Sequence, residues 1–181
     1  MSDCSYNIAE NTVTIATHQA LDNLFYKEET EEELLQDVFD QMKRNGDLNK
    51  RDRAKEAQKA ETILGTAKKK TKLFIEDIGF DLLLVDEAHR FKNLFSQAKS
   101  ESIDKVNEFS TITGSSSARS AKLFLLSQYI LRNNRNRNVY LLTATPFNNS
   151  PLEIYNMLSY IARYRLKEMG LLNVNDFMET F

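Results

Sequence analysis

The sequence is poor in the residues that cross-link a chain, bind zinc or enter a membrane. Cys4 is the only cysteine, which excludes an intramolecular disulfide and favours a reducing cytoplasm. The two histidines lie far from it in the sequence, so no zinc-site spacing is present. No apolar run approaches the roughly 18 residues that span a bilayer, and the N-terminal residues do not have the pattern of a signal peptide. We therefore expect a cytoplasmic protein with no membrane partner.

Glycine is also scarce, which excludes one phosphate-binding motif. None of the five glycines precedes a lysine, so the sequence contains no G-x-x-x-x-G-K-[ST] loop. The backbone N–H groups and the lysine of such a loop hold the phosphates of a nucleoside triphosphate. The chain alone is therefore expected not to hydrolyse ATP.

What is present is a chain long enough for one domain with its own core, with 41% hydrophobic and 28% charged residues. The net charge of −2 does not indicate a basic nucleic-acid-binding protein, but the charges are unevenly distributed. Residues 1–42 are acidic with Lys27 as their only base, whereas residues 43–72 are strongly basic. This asymmetry fits a nucleic-acid-facing surface, and it also fits a solvated helix face of mixed charge.

Three short apolar segments predict strands. Val13–Thr17 is rich in β-branched residues, and the segments DLLLV at 81–85 and VYLL at 139–142 are apolar almost throughout. Such runs are typical of parallel strands that are buried in a sheet. Helices are predicted between the strands, including 19–26 and 121–131, so the pattern indicates an α/β fold with a parallel sheet. Ligands bind such sheets at the carboxyl ends of the strands.

Capping signals predict where two further helices begin. Thr30 and Glu33 form a capping box ahead of apolar residues with helical spacing. Ser150, Pro151 and Glu153 supply an N-cap, an N1 proline and a capping-box glutamate for a later helix. The residues that this later helix is predicted to bury are Ile154, Leu158 and Ile161.

Two acids directly follow the strand predicted at 81–85. Asp86 and Glu87 open the sequence DEAH, and an apolar strand followed by two acids is the Walker B pattern. One carboxylate at this sheet edge suits Mg²⁺, a hard cation usually held by one or two carboxylates, waters and substrate phosphates. The second can orient, or accept a proton from, the water that attacks a γ-phosphate. Taken alone, an acid pair after a strand is better explained as a solvated turn.

A threonine-containing segment follows the strand predicted at 139–142. Thr143 and Thr145 lie in the sequence LTATP, and their hydroxyls can bond to the DEAH side chains if the two strands are neighbours. Taken alone, this segment is explained as a turn that ends a strand. The two motifs together are more specific than either is separately.

The two segments together resemble motifs II and III of superfamily 2 helicases, and most closely those of the Snf2 branch. The chain reads FDLLLVDEAHRFKNLF and, further along, VYLLTATPFNNSPLEIYNMLSYI. The segment VTIATHQAL is similar to the one that precedes these motifs in the family, so the resemblance covers residues 12–27 and 79–162. The sequence TATP lies where Snf2 motors more often have TGTP. This sequence, together with the long insertion, resembles those of helicase or methylase-helicase proteins of phages and conjugative elements. Further positions that carry the resemblance are Arg90, Lys92, Asn93, Pro146, Asn148, Asn149, Glu153 and Leu158.

The resemblance implies a partial RecA-like lobe of the P-loop NTPase type, with a parallel sheet flanked by helices. Residues 1–27 would begin this lobe, 28–72 would be a charged helical insertion, and 73–181 would be the remainder. The implied function is that of an ATP-dependent DNA helicase or translocase motor. Its cofactors would be Mg²⁺ and ATP, and its partners would be double-stranded DNA and a second motor lobe.

The resemblance also implies roles for individual residues. Asp86 would coordinate Mg²⁺ through water, and Glu87 would be the catalytic carboxylate. His89, Thr143 and Thr145 would couple the nucleotide state to nucleic-acid contact. Lysines that would contact the phosphate backbone are Lys68, Lys69, Lys70 and Lys72.

Two other functions are compatible with the sequence. The first is a non-catalytic protein-interaction module built on a degenerate motor lobe, for which nucleotide would be irrelevant. The second is a metal-dependent hydrolase that uses Asp86, Glu87 and His89, although the sequence shows no cluster of additional ligands for it.

Overall fold

The computed structural model describes residues 9–44, 73–94, 118–146 and 151–181. Within these residues the strands form two parallel pairs, β1 with β2 and β3 with β4. The fold is therefore mixed α/β, and the prediction that the segments at 81–85 and 139–142 contain strands of a parallel sheet is confirmed, since they pair directly with each other. The strands are β1 (Leu24–Phe25), β2 (Leu73–Phe74), β3 (Leu83–Val85) and β4 (Val139–Leu141).

Helices account for most of the secondary structure in the same residues. Short 3₁₀ helices cover His18–Asn23 and Ala88–Phe91. No helix in the described part of the chain is long and apolar enough to cross a membrane. The α-helices are α1 (Glu28–Arg44), α2 (Ile75–Ile78), α3 (Ala118–Asn133), α4 (Pro151–Ile161), α5 (Arg163–Glu168) and α6 (Val174–Thr180).

Helix α3 lies between two hydrophobic clusters and belongs to both. Leu123 and Phe124 pack in the cluster that contains Val85 of β3 and the buried residues of α4, α5 and α6. Leu125 and Ile130 pack in the second cluster, which contains residues of α1, α2 and β4. A helix that is apolar on nearly all sides is stable only when it is buried, so α3 ties the two halves of the core together.

The predicted strand at 13–17 is wrong. Val13 and Ile15 are 89% and 93% exposed, and this segment pairs with no strand among the described residues. The strand lies instead at Leu24–Phe25, inside the predicted helix at 19–26, and only His18–Asn23 is helical there. Leu24 and Phe25 gain a parallel partner in β2 and partial burial. A β-branched run indicates strand propensity, but it does not identify which segment will find a partner.

The two predicted helix starts meet different outcomes. Helix α1 begins at Glu28, ahead of the predicted cap at Thr30. A side chain of another element contacts the backbone just before this helix: the carboxylate of Glu76 in α2 accepts a hydrogen bond from the backbone N–H of Lys27 at 3.0 Å. Helix α4 begins at Pro151 as predicted. Ser150, and the part of the predicted insertion from 45 to 72, lie outside the described residues.

The buried side of α4 differs from the predicted one. The three residues predicted to be buried, Ile154, Leu158 and Ile161, are only partly buried. Tyr155 and Tyr160 are fully buried instead. Their hydroxyls donate to backbone carbonyls inside the core, which removes the cost of burying them.

The β3–β4 sheet is buried on one face only. Val85 and Val139 point into the core, with 5% and 8% of their surface exposed. On the opposite face Leu84 lies beside Tyr140, and the two side chains are 56% and 52% exposed. The prediction of fully buried strands therefore holds for one face and is wrong for the other. The alternation of a pleated strand explains why the residues divide in this way.

Candidate functional site

The two sequence motifs meet at the carboxyl edge of the β3–β4 sheet. Val85 and Leu141 are register partners at the ends of the two strands. Two backbone hydrogen bonds continue the contact beyond the strands, from Leu142 N to Val85 O at 2.8 Å and from Ala88 N to Leu142 O at 2.9 Å. They enclose Asp86–Glu87, which we call the acidic turn. Its neighbour, directly after Leu142, is the threonine turn, Thr143–Thr145.

The backbone of the acidic turn is sharply bent at Glu87. This residue has φ 50° and ψ 43°, in the left-handed region that residues other than glycine seldom adopt. The Asp86 carboxylate accepts a hydrogen bond from the Glu87 N–H at 2.9 Å, which supports the bend. Both side chains are exposed at the sheet edge. Strained backbone of this kind persists where the surrounding contacts hold it, and it is frequent at functional sites.

His89 lies beside the acidic turn and faces Glu87. Its Nδ1 is 3.1 Å from Oε2 of Glu87, which forms an ion pair when the imidazole is protonated. The same Nδ1 atom is shielded from solvent and has no well-aligned hydrogen-bond partner in the described part of the chain. The contact between His89 Nδ1 and Glu87 Oε2 is therefore short but poorly aligned, so it is an electrostatic contact rather than a hydrogen bond. Its strength therefore depends on the charge of the imidazole.

The threonine turn is held by its own hydroxyl. Thr143 Oγ1 accepts a hydrogen bond from the Thr145 N–H at 3.1 Å, as in other turns closed by a threonine side chain. Within residues 9–44, 73–94, 118–146 and 151–181, no hydrogen bond joins Thr143 or Thr145 to the DEAH side chains. The direct hydroxyl contact expected from the sequence is therefore not present, and the two turns are joined through the backbone of Leu142.

The sequence interpretation missed His18, which contacts the acidic turn from the N-terminal 3₁₀ helix. Its Nε2 lies 3.0 Å from the carbonyl oxygen of Asp86, and its ring packs edge-on against Phe91 with centroids 5.0 Å apart. A carbonyl oxygen only accepts hydrogen bonds, so this contact requires the proton on Nε2. The segment VTIATHQAL, which contains His18, was part of the resemblance, but nothing in the sequence indicated that this histidine contacts the acidic turn.

Other predicted site residues are not brought together with this edge. Lys68, Lys69, Lys70 and Lys72 lie outside the described residues. Among the residues that are described, no group of three or more histidine, cysteine, aspartate or glutamate side chains has the arrangement of a metal site. The acidic turn therefore offers carboxylate ligands from one short segment only. Mg²⁺ is commonly held in this way, with waters and substrate phosphates completing its shell.

The chain belongs to a helicase-related family, because residues 5–180 match the family described as "Probable helicase domain". It is also similar to the "Defense against restriction protein B" of Escherichia phage P1, with 31% identity over 119 residues, which is 65% of this chain. The matched region makes up 5% of the phage protein, so the chain spans a small part of that relative. No solved structure matches the chain.

Proposed function

We propose that this chain is part of the first, RecA-like motor lobe of an ATP-dependent DNA helicase or translocase of the Snf2 type. The observation that carries the proposal is the junction of the two turns through Leu142 at the end of two parallel strands. A motor of this class needs a metal-binding carboxylate and a second acid at one sheet edge. It also needs a neighbouring turn there that couples the nucleotide state to nucleic-acid contact. The match to a helicase family supports the same class.

In this proposal the two acids have different tasks. Asp86 holds Mg²⁺ through water, and Glu87 orients the attacking water and accepts its proton. Both carboxylates are exposed, so a metal–nucleotide complex can approach them. His89, whose Nδ1 lies 3.1 Å from Oε2 of Glu87, couples the nucleotide state to nucleic-acid contact together with Thr143 and Thr145. Phosphoryl transfer depends mainly on positioning and electrostatics, and this edge supplies both for one side of the substrate.

The isolated chain is expected not to hydrolyse ATP. It contains the two acids but no phosphate-binding loop, and the position of the γ-phosphate is then not fixed. Phosphate release from Mg-ATP should equal that of a Glu87→Gln chain, with or without double-stranded DNA. Hydrolysis by the wild-type chain that disappears in Glu87→Gln would show that another segment replaces the loop.

Two substitutions in the full-length motor should separate metal binding from coupling. Asp86→Asn should weaken binding of the Mg²⁺–nucleotide complex, because it removes the charge that favours the cation. Thr145→Ala should retain most basal ATP hydrolysis and lose most of the stimulation by DNA, because its proposed task is coupling. ATPase assays with and without DNA, together with nucleotide-binding titrations, distinguish the two patterns. If both variants behave like wild type, the assigned roles are wrong.

The exposed apolar face of β3–β4 favours a second candidate, a protein-interaction module. Its side chains Leu84 and Tyr140 are more than half exposed, and contiguous apolar surface is typical of binding sites. The phage relative is named for defence against restriction, a role that does not by its wording require ATP hydrolysis. In this second function the acids would be dispensable. A Glu87→Gln protein with full biological activity would favour the module over the motor.

A further inference from the structure

Helix α4 buries three polar side chains on one side. Glu153, Asn156 and Tyr160 are 7%, 1% and 0% exposed. Their spacing of three and then four residues places them along one face of the helix. Burying polar groups in a core is unfavourable unless each finds a partner, so the identity of the partners is informative.

All three side chains reach the same short segment, at the end of the 3₁₀ helix that carries His89. The Lys92 ammonium lies 3.0 Å from the Glu153 carboxylate. The Asn156 amide donates to the carbonyl of Lys92 at 2.8 Å, and the Tyr160 hydroxyl lies 2.9 Å from the carbonyl of Phe91. We call Glu153, Asn156 and Tyr160 the α4 clamp.

The contacts of the α4 clamp are largely shielded from solvent, which strengthens them. The side chains of Lys92 and Glu153 are 20% and 9% exposed, so their ion pair is little screened, and removing one partner leaves a buried charge. Burial raises the pKa of the Tyr160 hydroxyl, which therefore keeps its proton and remains a donor. This hydroxyl also lies 3.2 Å from the carbonyl of Ser120 in α3, so the clamp is connected to the central helix.

Only one turn of 3₁₀ helix separates the clamp from the acidic turn. Ala88 and Phe91 are 0% and 2% exposed, and the Arg90 N–H donates to the carbonyl of Glu87 at 3.1 Å. Packed and hydrogen-bonded residues therefore connect Phe91 and Lys92 to Glu87. The left-handed backbone of Glu87 persists only where surrounding contacts hold it. The backbone hydrogen bonds of Leu142 lie at one side of the acidic turn, and the 3₁₀ helix that contacts the α4 clamp follows on the other side.

We propose that the α4 clamp is a positioning device for the acidic turn, an inference that rests on the proposed motor function. Glu153, Asn156 and Tyr160 contact no substrate in this proposal. They fix the 3₁₀ helix and thereby the direction of the Glu87 carboxylate.

A pair of tyrosine substitutions in this chain tests the positioning directly. Tyr160→Phe removes the hydroxyl that reaches Phe91, and Tyr155→Phe removes the matched hydroxyl on the same helix, which donates to Leu172 at 2.6 Å. Both tyrosines are fully buried, and each substitution deletes one buried hydroxyl donor from the same helix. Amide hydrogen exchange measured by NMR should become about tenfold faster at Arg90 for Tyr160→Phe only, since one net hydrogen bond is lost. Equal acceleration in both variants would overturn the proposal.

A milder variant keeps the test decisive if Tyr160→Phe does not fold. Glu153→Gln preserves the size of the side chain but removes its charge, and it should also accelerate exchange at Arg90 and shift the His89 ring signals. Replacing the pair by Lys92→Met with Glu153→Met should restore slow exchange, because a packed apolar pair can substitute for a buried ion pair. Unchanged exchange and unchanged His89 signals in Glu153→Gln would contradict the positioning role.

Activity in the full-length motor separates this inference from the function on which it rests. Glu153→Gln should lower kcat for ATP about tenfold with little change in KM, and Tyr155→Phe should change neither. A wild-type protein without any ATPase activity would refute the proposed function, and the exchange results would still decide the positioning. An active motor whose kcat is unchanged by Glu153→Gln would refute the clamp and leave the motor assignment intact.

Discussion

In the full-length motor proposed above, Glu87→Gln should lower ATP turnover by about 10²–10⁴-fold, the usual loss when general-base assistance is removed. The amide keeps the size and much of the hydrogen-bonding shape of the carboxylate, but it cannot accept the proton of the attacking water. Nucleotide binding should persist, because Asp86 and the phosphate-binding parts of the motor are unchanged. The measurement is steady-state ATP hydrolysis alongside nucleotide-binding titration on the same preparations.

The control for this substitution is Glu179→Gln in helix α6. Glu179 is also exposed, and the substitution makes the same chemical change away from the sheet edge. Turnover should equal wild type in that variant. Retention of activity in Glu87→Gln would remove the catalytic role of the acidic turn, and a parallel loss in Glu179→Gln would point to a general effect of lost charge.

The order of the elements near the site could be predicted from sequence because the signals there are local. The apolar segments at 81–85 and 139–142 end in polar motifs, and both form strands of one parallel pair. Pro151 marks the start of α4 because proline suits the first turn of a helix. Each motif directly follows a predicted strand of a parallel sheet, and this was enough to predict that both turns lie at the carboxyl edge of the sheet.

What could not be predicted depends on contacts between distant segments. His18 reaches the carbonyl of Asp86 across 68 positions of sequence, and no local pattern marks that contact. Glu153 suggested a capping box with Ser150, which lies outside the described residues, and no local pattern marked its ion pair with Lys92 of another element. Val13 and Ile15 have the composition of a strand but no partner among the described residues. In each case tertiary packing decides between uses that the residue type permits equally.

The same leucine-to-alanine substitution should change the free energy of unfolding very differently in the core and on the exposed face of the β3–β4 sheet. Leu123 of α3 is 1% exposed inside the core, whereas Leu84 of β3 is 56% exposed. Leu123→Ala removes buried methyl groups and leaves a cavity, so the free energy of unfolding should fall by about 2–5 kcal/mol. Leu84→Ala should change it by less than about 1 kcal/mol, because most of the side chain already contacts water.

Urea denaturation of the two variants beside wild type, at several protein concentrations, measures this contrast. The comparison is matched because leucine becomes alanine in both, and only the burial of the site differs. Leu123→Ala should lower the midpoint with little change in the slope of the transition. A large, concentration-dependent loss in Leu84→Ala would mean that a second molecule covers the exposed face of β3–β4, since dimerisation links stability to concentration. An equally large loss independent of concentration would contradict the exposure of Leu84 in the fold described above.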